Sequence, residues 1–280
     1  MVYRNYFPLA VLASLLITFF GCHSDKGNTA SIPGLNSQDS AKHRFSVVIN
    51  NIPFPVSILD TMHDQNTQFH NDLLNPVGNV NLYSESNAQA TNLGLYGADL
   101  AYVVSFEQFQ SVGIYMRATK LLADNVGIPL AFTAQVIDRC QKNQNNKDSL
   151  SAIIVESYNT IDQTLKHAER NTTETLVLMG GWIEGTYLAS QSLVKMPQGA
   201  DKRKTKNILL EQKIYGDKLL ALLSQVDSAC PYCQNLATHM QDLMKTYNSI
   251  TSVASFTDDS TKELAEKVAY IRSLVIKGNS

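Results

Sequence analysis

The chain has 280 residues, of which 44% are apolar and 17% charged, with a formal net charge of −2. A charge this near zero argues against a nucleic-acid binder, which needs a basic face for phosphates. Fourteen glycines and eight prolines are too few for a fibrous or low-complexity chain, and the length suffices for one core of globular size.

The N-terminus reads as an address. Arg4 supplies a short basic start. Phe7 to Phe20 is apolar except for Pro8, Ser14 and Thr18. The run is shorter than the ~20 residues of a spanning helix and fits the apolar region of a signal peptide. It ends in Gly21-Cys22, followed by the polar His23-Ser24-Asp25-Lys26. This resembles a bacterial lipoprotein signal, with Phe19 and Phe20 where Leu and a small residue are usual. The resemblance implies that Cys22 becomes the lipidated first residue and holds the protein at the outer membrane. Lys26 ends the acidic run that Ser24-Asp25 begins, which favours the periplasmic side. Residues 23–43 are polar and contain Gly, Pro and Ser, the composition of a flexible tether. The expected organisation is a signal peptide over 1–21, a tether over 22–43 and one folded domain over 44–280.

The tripeptide Asp-[Ser/Thr]-[Ala/Ile/Leu/Val/Met/Thr] occurs at Asp39, Asp60, Asp148, Asp227 and Asp259, more often than chance predicts. It resembles the O-glycosylation sequon of Bacteroidota envelope proteins, with Ser40 and Thr61 as the candidate acceptors. At Asp148 and Asp259 helix capping explains the residues equally well.

Residues 44–51 (RFSVVINN) form the one β-like stretch. From Pro53 the period is helical. Short helices are expected over 53–63 and 67–74, with a loop over 77–83. Longer helices are expected over 86–110, 111–125, 129–143, 149–169, 173–195, 206–225, 231–249 and 260–276. Gly, Pro, Asn and Asp mark the breaks. With no strand series and short connections, the expected fold is all-α: a single bundle of about eight to ten helices with antiparallel neighbours.

Two of these helices differ from the rest. Gly94, Gly97, Ala98 and Ala101 give the first a small face; Gly181, Gly185 and Ala189 recur every four residues in the second. Such spacing allows close backbone approach. Glycine costs up to ~1 kcal/mol inside a helix, so close packing or room for a ligand must offset it. Leu176–Leu188 is apolar almost all round, which marks a central helix. Asp99 and Glu184 lie within these helices, in a shared acid-x-x-Tyr pattern with Tyr102 and Tyr187. Two readings are open. The acids belong to polar stripes facing water, Asn92 and Gln110 with Asp99, and Thr173 and Gln191 with Glu184. Alternatively, they bind a ligand amine or cation in a pocket walled by Tyr96, Tyr102, Trp182 and Tyr187.

Cys230-Pro-Tyr-Cys233 resembles the active-site motif of glutaredoxins. The expected context is missing: helix precedes the motif, and no proline follows Pro231. A structural disulfide between Cys230 and Cys233 is therefore expected, with Cys140 free. The six histidines form no metal-ligand spacing, and no nucleophile elbow, phosphate loop or dinucleotide fingerprint occurs. No metal, cofactor or catalytic residue is assigned. Lys202-Arg203-Lys204-Thr205-Lys206 is a basic turn, either solvated or in contact with anionic headgroups.

Asn92–Tyr102 (NLGLYGADLAY) and Gly180–Tyr187 (GGWIEGTY) look like segments of Bacteroidota outer-membrane lipoproteins. The resemblance implies an all-helical envelope domain and transfers no catalytic residues. The expected role is a non-enzymatic accessory or scaffold subunit with a protein partner in the envelope. The alternatives are a small-ligand-binding lipoprotein and a thiol–disulfide protein.

Overall fold

A computed structural model describes residues 56–64, 67–226 and 229–278. The signal, Cys22, Ser40 and the β-like stretch lie outside the described residues. Within them there are nine α-helices and no strand: α1 (Val56–Asp64), α2 (Ser86–Ser105), α3 (Phe109–Asn125), α4 (Ala134–Lys142), α5 (Lys147–His167), α6 (Asn171–Lys195), α7 (Arg203–Leu223), α8 (Pro231–Ser249) and α9 (Asp258–Ile276). Three short 3₁₀ segments cover Asn71–Leu73, Val77–Leu82 and Pro129–Phe132. The class is all-α, in one packed bundle. No described helix is long and apolar enough to cross a membrane.

The pair α2 and α6 forms the axis of the bundle, and α1, α3 and α5 pack on α2 while α7 and α9 pack on α6. Glycine decides how close the axial pair comes. A Cβ at Gly94 would sit 1.9 Å from the Val177 carbonyl oxygen, and one at Gly180 would sit 1.8 Å from that of Thr91. The helices therefore touch backbone to backbone, which any larger residue forbids. On this seam Gly94 faces Val177 and the Gly181 nitrogen, and Gly180 faces Thr91 and Leu95. A Cβ at Gly97 would collide with the Tyr158 ring of α5, whose hydroxyl donates to the Leu93 carbonyl at 2.9 Å. Nearly every α2 position from Ala88 to Ser105 is buried, as is most of α6 from Glu174 to Leu193.

Several boundaries depart from the pattern reading. Helix α2 stops at Ser105 because Glu107 turns the chain through a left-handed conformation (φ 55°), a reversal without the usual glycine signal. Gln110 thus belongs to the next helix. Residues 67–70 form no helix, and the His70 N–H bonds to the Tyr102 hydroxyl (3.0 Å) instead of within one. Residues 129–143 divide into a 3₁₀ turn and α4, whose cap Thr133 accepts from the Val136 N–H. The caps of α5 and α9 are Asn146 and Thr257, each two residues before the aspartate expected there.

Candidate functional site

The first correction concerns the two acids. Asp99 and Glu184 do not face water: both are fully buried where α2 crosses α6. A side chain on α9, Arg272, meets them. Its Nε donates to Glu184 Oε2 at 2.6 Å and its Nη2 to Glu184 Oε1 at 2.9 Å, a bidentate fork. The same Nη2 reaches the Leu73 carbonyl at 2.8 Å, and the guanidinium lies 4.2 Å over the Tyr187 ring. Burial opposes the charge on Arg272, but the Glu184 carboxylate outweighs it and holds the guanidinium firmly protonated.

Asp99 is within hydrogen-bonding reach of Glu184 and has no comparable cation of its own. Its Oδ2 accepts the Asn75 N–H at 3.1 Å, and its Oδ1 receives no hydrogen bond. Burial first, and the charge on Glu184 second, push its carboxyl well above the usual carboxylate range, with Arg272 only partly opposing them. A proton on Asp99 resolves the geometry. It converts the orphaned acceptor into a donor toward Glu184, and leaves one carboxylate against one guanidinium.

Asn75 completes this centre. Its amide nitrogen donates to the Tyr83 hydroxyl (3.1 Å), its side-chain oxygen accepts from Asn79 (2.8 Å), and its carbonyl accepts from the Tyr115 hydroxyl (3.1 Å). The Tyr96 hydroxyl donates to the Pro76 carbonyl at 2.8 Å. Burial raises the phenols of Tyr96 and Tyr115 above their ordinary range, so both remain neutral donors.

The aromatic side chains proposed as pocket walls do not converge. Tyr96 packs toward Tyr83 and Tyr115. Tyr102 stacks on Phe69 and Phe106, and burial pushes its hydroxyl up to about 12. Trp182 points the other way, toward Tyr247, and donates its indole N–H to the Gln212 carbonyl at 3.1 Å. A Cβ on Gly216 of α7 would strike the Trp182 ring. Tyr187 alone of the four touches the charged centre. The clefts bounded by residues 67–204, 239–271 and 130–160 reach neither Asp99 nor Glu184. The arrangement fixes three helices and the 70–76 segment to each other.

Cys230 and Cys233 form a disulfide at the start of α8, and both are buried. Cys230 Sγ accepts from the Cys233 N–H (3.1 Å) and from Asn87 of α2 (3.4 Å). The element before it is helix α7, where a thioredoxin-like site has a strand. Cys140 is free and buried, and burial pushes its thiol up to about 11, far from a reactive thiolate. Thr61 lies half-buried on α1. Among the described residues no group of three or more His, Cys, Asp or Glu is arranged to hold a metal ion.

The basic turn is largely tied down. Lys202 meets Asp258 at 3.4 Å, Arg203 grips Asp201 through two N–H bonds, and Lys206 reaches the Phe256 carbonyl.

No protein-family model matches this chain, and no curated protein or solved structure resembles it at a significant level.

Pattern reading found Asp99 and Glu184 but missed Arg272 and Asn75. A signal for Arg272 was present. It falls on the apolar stripe of Leu264, Ala265, Val268, Ile271 and Val275, and a lone charge on such a stripe needs a buried counter-charge. Asn75 carried no signal, because Asn-Pro reads as an ordinary helix stop.

Proposed function

We propose that the protein is a lipid-anchored, non-catalytic scaffold domain of the bacterial outer membrane, of the kind that Bacteroidota lipoproteins represent. One observation carries this reading: the apolar run Phe7–Phe20 closes on Gly21-Cys22 and is followed by a polar stretch before the helical bundle. Several acyl chains on Cys22 hold a protein at a membrane far better than one. The polar chemistry of the bundle interior supports the non-catalytic part. The buried fork of Arg272 and Glu184 and the hub at Asn75 are satisfied by the protein itself. The disulfide is buried at a helix start and lacks the strand of a redox fold.

The test is metabolic labelling with palmitate followed by mild detergent extraction from native cells. The reading expects label on the wild type, no label on Cys22→Ala, and a stoichiometric protein partner in the extract. An unlabelled wild type, or a clean monomer at native expression, contradicts it.

A further inference from the structure

A cleft of about 460 Å³ opens where the chain after α1 meets the end of α6 and the start of α7. That size suits a small ligand. Thr67 and His70 come from the first segment, Ser192 and Lys195 from α6, and Asp201 and Lys204 from the turn into α7. Three separate parts of the chain thus converge on one space.

The charges there do not cancel. Lys195 is bridged to Asp72 at 2.7 Å, and Asp201 is held by Arg203 at 2.7 Å. Lys204 makes no ion pair among the described residues and adds only weakly to the field that holds Asp201 ionised. Two hydroxyls are unspent as well. Thr67 Oγ1 and Ser192 Oγ are buried and make no hydrogen bond. The Tyr102 hydroxyl already takes the His70 N–H, and the Ser192 hydroxyl lies within reach of it. A serine hydroxyl can turn its one hydrogen either to Tyr102 or to a third group. Buried hydroxyls without partners are rare in native proteins, and a ligand is one explanation.

We propose that this cleft binds a phosphate group, with Lys204 and Lys195 countering its charge and Thr67 and Ser192 donating hydroxyl hydrogens to its oxygens. Phosphate fits better than carboxylate. The lining donors come from three separate segments of the chain, and the cations are lysines, which act as point charges. The one guanidinium nearby, which would favour a planar carboxylate, is already committed to Asp201. The phosphate can come from a soluble phosphate ester or from a phospholipid headgroup.

The experiment is calorimetric titration of the detergent-solubilised full chain with four probes. They are inorganic phosphate, glycerol 3-phosphate, dihexanoylphosphatidylglycerol below its micellar concentration, and acetate. The inference expects saturable binding of at least one phosphate probe and weaker or no binding of acetate. Lys204→Ala is expected to weaken binding about tenfold or more, as loss of a charge-assisted contact does. Lys204 is exposed, so its melting temperature should not change; Lys262→Ala, exposed on α9, is the control and should bind as the wild type does. Ser192→Ala should weaken binding about threefold or more, the loss of one neutral hydrogen bond. A second readout is the His70 ring in NMR. Burial, then the positive charge of Lys195, now hold its pKa below the usual value; a bound phosphate should move it up. Binding of the soluble probes assigns a phosphate ester, and binding of the lipid probe alone assigns a headgroup. The inference is overturned if no phosphate probe saturates, if Lys204→Ala binds as tightly as the wild type, or if acetate binds equally well.

Discussion

Two pairs of acids in this bundle each lean on one cation, and comparison of them separates structure from titration. At the axis, Asp99 and Glu184 are fully buried, and Arg272 grips only Glu184. At the α5–α6 corner, Glu174 is buried while Asp162 is partly exposed, and Lys166 lies 2.6 Å from Asp162 and 3.8 Å from Glu174. In both pairs the acid without the close cation keeps the proton. The difference is water. Burial, helped by Asp162, raises Glu174 to about 8, within reach of ordinary buffers. Asp99, sealed between two helices in backbone contact, is held above the usual carboxylate range by burial and by Glu184. The same chemistry therefore locks the axis and titrates at the corner.

The largest expected effect comes from breaking the axial pair unevenly. Glu184→Gln leaves a buried guanidinium without its carboxylate and should cost about 3–5 kcal/mol. Asp99→Asn replaces a protonated carboxyl by a neutral group of the same shape and should cost under ~1 kcal/mol. Denaturant unfolding of the two variants checks both.

Next, the seal itself can be forced open. Gly94→Ala places a methyl against the Val177 carbonyl and must push α2 from α6. The expected loss is about 3 kcal/mol, at the upper end for overpacking. A melting temperature unchanged from the wild type would show that the helices are not in contact there.

A smaller effect is expected at the other end of α2. Replacing Cys230 and Cys233 together by Ser removes a very short loop closure, worth about 2 kcal/mol in the chain-entropy view. Unfolding with and without reductant should give that difference for the wild type and none for the double variant.

The corner pair predicts a pH slope. Glu174 has a folded pKa of about 8 against 4.5 for an ordinary Glu. The native state therefore holds more protons than the unfolded chain between those values. Stability from this group is full below about 4.5 and falls as pH rises through 8, by at most about 1.4 kcal/mol per pH unit. Glu174→Gln should flatten the slope and exceed the wild type in stability above that range. A profile identical in the two proteins would contradict the assignment.

Much of the fold was legible in sequence. Period, breaks and the absence of a strand series pointed to the helical bundle, and the expected 231–249 helix is α8 to the residue. The glycine faces pointed to the α2–α6 contact, where Gly94 meets Val177 and the Gly181 nitrogen and Gly180 meets Thr91. The candidate site was less legible. Angular position on a helix places Asp99 and Glu184 on polar stripes, but a central helix has no solvent face. Which acid meets which cation is decided by Arg272, 88 residues after Glu184, and no local spacing encodes that. The cleft of Thr67, Ser192 and Lys204 joins three segments that packing alone brings together. Of these residues, sequence singled out Lys204 only, as part of a basic turn.

The central claim is that Asp99 carries the proton of the axial pair. Infrared spectroscopy of the protonated carboxyl C=O stretch tests it most directly, in a Glu174→Gln background at a pH just above the usual carboxylate range. The account predicts that a carboxylic-acid band persists there with Asp99 intact, exchanges slowly with deuterium, and is absent once Asp99→Asn is added. Absence of that band with Asp99 intact, or its survival unchanged after Asp99→Asn, would contradict it.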